Sequence, residues 1–276
     1  MGNNRKFIGD LIASQLKANK EVLKKQFHQN KETIGYFYLD DVLPDDLVNQ
    51  IHNSFPKLEE TVQKKNIREY KYLAYQMDKY DSLLEEVIYA FQEAEVVSLI
   101  SEICNIEGLK PDSNLYAGGL SLMTKNNYLN PHLDNSHDKD RNLWRVLNLL
   151  YYVTPNWKAE NGGNLELWQH GLKNKKTTVT SKFNRLVVMA THQNSWHSVG
   201  KVDVEDIRCC VSNYYFSRDP LLKSDNFHVT SFRAEKDQKF KNVLLQIDTK
   251  LRSGLRKLFR KGIRENPHRY KKTRSK

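Results

Sequence analysis

A chain of 276 residues that is 39% apolar and 28% charged can fold as one large domain with a sizeable core, and is neither disordered nor fibrous. No stretch approaches the roughly 18 uninterrupted apolar residues of a membrane span, Asp10 and Ser14 interrupt any signal-peptide core, and Cys104, Cys209 and Cys210 make no disulfide framework, which points to a reducing, cytoplasmic setting. The net charge of +11 lies wholly in residues 250–276, where twelve Lys and Arg face one Glu, so a neutral body carries a basic end.

Residues 1–34 predict an amphipathic helical lead-in, with Phe7, Ile8, Leu11, Ile12, Val22, Leu23 and Phe27 at helical spacing and lysines between them. Residues 35–220 form the second zone. Gly35–Leu39 reads as a short strand, and Pro44 with Asp45 and Asp46 suits the first turn of a helix. A further helical stretch runs over 82–106, striped by Leu83, Leu84, Val87, Ile88, Phe91, Val96 and Ile100. After Pro111 the pattern turns to strands: Tyr116–Met123, Arg145–Val153, Asn164–Trp168, Lys176–Thr180, Leu186–Ala190 and Ile207–Ser217. Asn161-Gly162-Gly163 and Lys125-Asn126-Asn127 supply turns between them. Many short strands preceded by helices predict an α+β fold, a double-sheet barrel with helices on one side. Residues 221–276 form a third zone, a basic helical extension. Its stripe of Phe240, Val243, Leu244, Ile247, Leu251, Leu255, Leu258 and Phe259 predicts a helix packed on the barrel with its basic face in solvent. The alternative is a surface for anionic material: acidic lipid, nucleic acid or polysaccharide.

His132-Leu133-Asp134 is the sole His-x-Asp in the chain, placed after a strand and a turn and beside Pro131. His197 follows Asp134 by 63 residues, just past the strand Leu186–Ala190. Two histidines and one carboxylate on one face of a metal, with three positions left open, are the facial triad of non-haem iron(II) oxygenases. Eleven residues after His197, Arg208 opens a strand within an apolar run. A dicarboxylate that chelates iron through one end needs a cation for its far end, and a guanidinium binds a carboxylate with two parallel hydrogen bonds.

These residues carry a resemblance. Tyr128–Asn135, Arg145–Val153, Trp157, Gly162–Leu167, Phe183–Val188, Trp196–Val199 and Arg208 follow the order and spacing of the iron(II)- and 2-oxoglutarate-dependent dioxygenases of the prolyl 4-hydroxylase-like branch, over about 100 residues. The entry segment Phe37–Asp46 also resembles the start of that family's catalytic domain. The resemblance implies a double-stranded β-helix (jelly roll) with iron at one mouth. It implies His132, Asp134 and His197 as catalytic metal ligands, Arg208 as the partner of 2-oxoglutarate, and Fe(II) with 2-oxoglutarate, O2 and ascorbate as the chemistry's small molecules. Asn148, Leu150 and Tyr152 on one face of their strand, Leu165 after the Gly-Gly turn, and Ser212 and Tyr214 on the arginine's face match positions lining the 2-oxoglutarate pocket. Met123 stands where the family often has tyrosine, and Cys210 where many members have serine.

The implied reaction is hydroxylation of an unactivated C–H bond with release of succinate and CO2. The substrate would be a protein prolyl residue, with a sugar, glycan or lipid-linked small molecule as the alternative. A non-oxygenase jelly-roll metal-binding module is the rival class. His192, on the loop leading into His197, is the candidate substrate contact, whereas His137 and His170 read as solvated loop residues. Strand alternation sends Cys209 and Cys210 to opposite faces, and no second pair completes a zinc site. The four tryptophans read as core or rim aromatics. His228–Arg233 reads as a short structured motif with no assigned chemistry.

Overall fold

A computed structural model describes residues 4–234, 238–258 and 269–272. The lead-in is two helices, α1 (Arg5–Ala18) and α2 (Lys20–Gln29). The Asn4 side chain caps α1 by accepting the Phe7 N–H at 2.9 Å, and Asn19 divides the two helices. Ile8, Ile12, Leu16, Leu23 and Phe27 enter the main core. After β1 (Tyr36–Leu39) and α3 (Asp45–Asn53), a hairpin of β2 (Val62–Lys65) and β3 (Glu69–Ala74) precedes α4 (Ser82–Ala90) and α5 (Ala94–Cys104). That hairpin was not foreseen, because β2 reads Val-Gln-Lys-Lys and carries no apolar alternation. The expected single helix over 82–106 is thus two. Apolar periodicity runs unbroken through Phe91, but Glu93 is extended, and Gln92 Nε2 donates to Asp112 O (3.0 Å) and Asn213 Oδ1 (2.9 Å). These tertiary bonds fix the break.

The remaining strands are β4 (Lys110–Pro111), β5 (Gly119–Met123), β6 (Tyr128–Leu133), β7 (Trp144–Tyr152), β8 (Leu165–Leu167), β9 (Thr177–Val179), β10 (Arg185–Ala190), β11 (His197–Val199), β12 (Arg208–Ser217) and β13 (Ser231–Phe232). All pairings among the described residues are antiparallel, and the strands run in the order β1-β10-β7-β12-β5-β3-β6-β11-β8-β9. β13 joins β6, β2 joins β3 and β4 joins β12. The sheet curls in a jelly-roll-like manner, and its outer face is covered by helices. On β7, Leu147, Leu149 and Tyr151 point into the helical core, while Leu150 and Tyr152 face the inside of the curl.

The last helix, α6 (Lys239–Leu258), departs from expectation. Its apolar stripe faces outward: Phe240, Val243, Leu244, Ile247, Leu251 and Leu255 are all exposed, and Leu245 and Thr249 are the buried side chains of its described part. Polar groups fasten it instead. Arg252 Nη1 donates to Thr230 O at 2.8 Å, and Asp248 pairs with Arg252 at 2.8 Å and Arg68 at 3.8 Å. An amphipathic pattern identifies a helix and its two faces but not which face meets the body. Phe259 and most of the basic end lie outside the described residues. Residues 269–272 return to the body, where Tyr270 is buried against Tyr89 and its N–H donates to Asn114 O at 2.9 Å.

Candidate metal centre

Two short antiparallel strands bring the triad together. His197 opens β11 directly opposite His132 of β6, and Asp134 lies one residue past the end of β6. The imidazole rings sit 4.1 Å apart between centroids, and one ligand atom from each of His132, Asp134 and His197 falls within 4.8 Å of the others. His132 Nδ1–H donates to Asn130 O at 3.0 Å, and His197 Nδ1–H donates to Ser195 O at 2.9 Å. Each bond fixes the tautomer and leaves Nε2 as a free lone pair aimed at Asp134, 3.7 Å away in both cases.

Burial, reinforced by the neighbouring His197, holds His132 down to about 3, so its ring is neutral and able to ligate at physiological pH. Burial opposes ionisation of Asp134, but His197, Arg145 and His132 outweigh it and hold its carboxyl below the ordinary range. Asp134 Oδ2 is buried and has no hydrogen-bond partner. Two imidazoles and an unsatisfied carboxylate oxygen are a donor set that fits a divalent transition metal.

Arg208 opens β12 with its side chain buried and no carboxylate beside it among the described residues. Its Nη2 donates to Met123 Sδ at 3.1 Å, its guanidinium lies 5.2 Å from the Tyr152 ring, and its Nε is buried without a partner. A buried guanidinium in that state is costly unless an anion joins it, so the residues here fit a ligand carboxylate. The triad and Arg208 share one cavity of about 360 Å³, lined also by Asn148, Leu150, Tyr152, Leu165, Cys210, Ser212 and Tyr214.

Residues 118–216 match the model of the 2OG-Fe(II) oxygenase superfamily. Those residues carry the signature of a 2OG-Fe(II) oxygenase domain. The protein is an enzyme of that kind, and Fe(II) and 2-oxoglutarate are its cofactor and co-substrate. Its fold is similar to that of a prolyl 4-hydroxylase from Pseudomonas putida, with a TM-score of 0.53 and 17% identity over 71% of this chain and 100% of that one. It is also similar to prolyl 4-hydroxylases from Phytophthora capsici, at 0.56 and 16% over 91% and 77%. HygX from Streptomyces hygroscopicus, solved with nickel and 2-oxoglutarate bound, gives 0.51 and 14% over 70% and 86%. A search of curated proteins finds no significant match.

The oxygenase places the strand residues singled out from alternation on the cavity wall, but not His192. That ring is buried in its own loop, where the His192 N–H donates to Ser195 Oγ (2.9 Å) and Nδ1 accepts the Asn194 N–H (3.2 Å). It shapes the loop that presents His197. His170 is exposed, and His137 lies 4.1 Å from the Trp144 ring in an adjoining cavity. Of the cysteines, Cys209 enters the helical core and Cys210 lines the cavity, its thiol pushed up to about 11 by burial.

Phe232, Lys71 and Arg145 are among the cavity residues that were not foreseen. Phe232, in the motif left without a role, stacks on His132 at 5.2 Å because β13 pairs with the end of β6. Lys71 lines the wall from the unforeseen hairpin. Arg145 reaches the cavity through a bulge: Tyr215 pairs with Leu147 and Phe216 with Arg145, so Val146 is the extra residue and the facing parity changes. Arg145 then stacks 3.9 Å from the Tyr214 ring centroid with Nη1 3.9 Å from Asp134 Oδ1. An eye on alternation alone would have sent it to the core.

Proposed function

We propose that the enzyme hydroxylates an unactivated C–H bond, with His132, Asp134 and His197 holding the iron and Arg208 holding the far carboxylate of 2-oxoglutarate. The observation that carries this reading is a three-ligand cluster sharing one cavity with a buried, carboxylate-free guanidinium. When bound, iron and 2-oxoglutarate supply the oxidising power to insert one atom of O2 into a C–H bond, with release of succinate and CO2. Asn130 O and Ser195 O orient the two imidazoles. Met123 Sδ and Tyr152 steady the guanidinium, and Leu150, Leu165 and Tyr152 keep water from the co-substrate. The catalytic domain spans residues 35–220 on this reading, between the helical lead-in and the basic extension. The prolyl 4-hydroxylase fold likenesses favour a peptide substrate, with a small molecule as the alternative. The test is iron-dependent succinate formation from 2-oxoglutarate, followed by a mass screen for a gain of one oxygen. Absence of iron-dependent succinate would remove the reading.

The basic extension is proposed to lay α6 on an anionic lipid surface. Six large apolar side chains face outward along it, and helical spacing sets Lys239 and Lys250 along one border of that stripe. Lysines in that position extend their ammonium groups to headgroups while the apolar face enters the interface. No helix of the described residues is long and apolar enough to cross a membrane.

A further inference from the structure

The β2–β3 hairpin lies across the mouth of the cavity, because β3 pairs with β5 through Leu73–Ser121 and with β6 through Glu69–Leu129. Its alternate residues Glu69, Lys71 and Leu73 face the cavity. On β2, Lys64 stands directly opposite Lys71 in the register and also lines the cavity. Like charges directly opposite each other on one face of a sheet destabilise it. Lys71 has one partner, Glu69, at 3.1 Å, and Lys64 makes no ion pair among the described residues. Across the mouth, Arg68 and Arg252 share the single carboxylate of Asp248, and Arg68 Nε is buried without a hydrogen-bond partner.

Lys64, Arg68, Lys71 and Arg252 thus bring four positive charges to the mouth against the two carboxylates Glu69 and Asp248. Charges deeper in the cavity do not offset the excess. Iron and Asp134 with Arg208 and the 2-oxoglutarate dianion balance among themselves, and Arg145 adds a further cation. A neutral peptide would leave these cations facing one another. An anion between Lys64 and Lys71 would satisfy both and remove the repulsion.

We propose that the hairpin, with Arg252 facing it, is a subsite for an anionic group of the substrate, a phosphate or a carboxylate, and that Lys64 and Lys71 are its main cations. The location of the reactive carbon beside this group rests on the oxygenase reading above. The anion binding itself does not.

Calorimetry on the full chain loaded with nickel(II) and 2-oxoglutarate tests this without turnover, using phenyl phosphate, benzoate and neutral phenol as probes. One of the two anions should bind in a salt-sensitive way and phenol at least about ten-fold more weakly, and the tighter anion assigns the group as phosphate or carboxylate. Lys64→Gln and Lys71→Gln should each weaken that anion about ten-fold or more, and Lys64→Glu should abolish its binding by pairing with Lys71. Without anion, Lys64→Gln should melt no lower than the parent, since it relieves a like-charge pair. Equal binding of anions and phenol by the parent, or unchanged anion binding in well-folded Lys64→Gln and Lys64→Glu, would overturn the proposal. Succinate formation by the iron form is scored separately, so failure of the oxygenase reading and failure of the anion subsite give different results.

Discussion

Gly163 lies against the stem of Arg208: a Cβ placed on it would come 3.0 Å from Arg208 Cδ and 2.9 Å from Val202 Cγ2. Its φ of +65° adds a conformational reason for glycine. The Gly-Gly turn therefore does more than reverse the chain, since it lets the guanidinium sit at its cavity position. Gly163→Ala should displace Arg208 and raise the 2-oxoglutarate concentration needed for half-maximal succinate formation. Metal affinity, measured in the same preparation, should stay near the parent's.

Arg208→Ala should weaken 2-oxoglutarate about ten- to a hundred-fold, the equivalent of roughly 1.5–3 kcal/mol for a charge-assisted hydrogen bond. Arg208→Lys should recover part of the loss, because it keeps the charge without the fork. Titration of 2-oxoglutarate against the metal-loaded variants checks both, and parent-like affinity in Arg208→Ala would discard the assignment.

His132→Ala and Asp134→Ala should abolish stoichiometric Fe(II) binding and succinate formation while circular dichroism stays native. Asp134→Ala that still holds one Fe(II) would take that residue out of the centre.

Asp112 offers a pH test away from the metal. Burial lifts its carboxyl to about 6, against a smaller opposing pull from Arg145, and Oδ2 has no hydrogen-bond partner. Because the folded state holds the proton more tightly than the unfolded chain, this group's contribution to stability is full below about pH 4 and is lost as pH rises through 6. Asp112→Asn should accordingly stabilise the protein at pH 7.5, by up to about 3 kcal/mol from a two-unit shift, and much less at pH 4. Melting curves at the two pH values give the comparison, and an equal effect at both would contradict the argument.

For α6, parent protein should bind phosphatidylserine vesicles with an affinity that falls as salt rises. The double variant Ile247→Glu, Leu251→Glu should bind at least about ten-fold more weakly, since burial of each side chain contributes roughly 1.5–3 kcal/mol. Equal binding by both forms would exclude the stripe from any lipid contact.

The cavity was legible in the sequence where strand alternation alone decides a side chain's direction. Asn148, Leu150, Tyr152, Cys210, Ser212 and Tyr214 all follow period two, and all reach the wall. Arg145 escaped because one bulged residue resets that period. Lys64 escaped because β2, Val-Gln-Lys-Lys, carries no apolar alternation, and Lys71 because the short Glu-Tyr-Lys-Tyr alternation of β3 has no patterned partner strand to mark it. The fold class followed from strands and turns, but the break at Glu93 and the outward face of α6 depend on tertiary partners far away in sequence. Neither leaves a local trace.

An open sheet has edges, and exposed edges recruit other chains. β1 is one end of this sheet, and the Tyr38 N–H on it is already occupied by Gln26 Oε1 of α2 at 2.9 Å. At the other end β9 is three residues long, and β2 carries Lys64 and Lys65. The lead-in helices are thus a cover for a strand edge as well as a source of core side chains. Starting the chain at residue 35 would bare β1 together with the surface left by Ile8, Ile12 and Leu16, so such a fragment should aggregate by strand addition rather than serve as a minimal soluble enzyme.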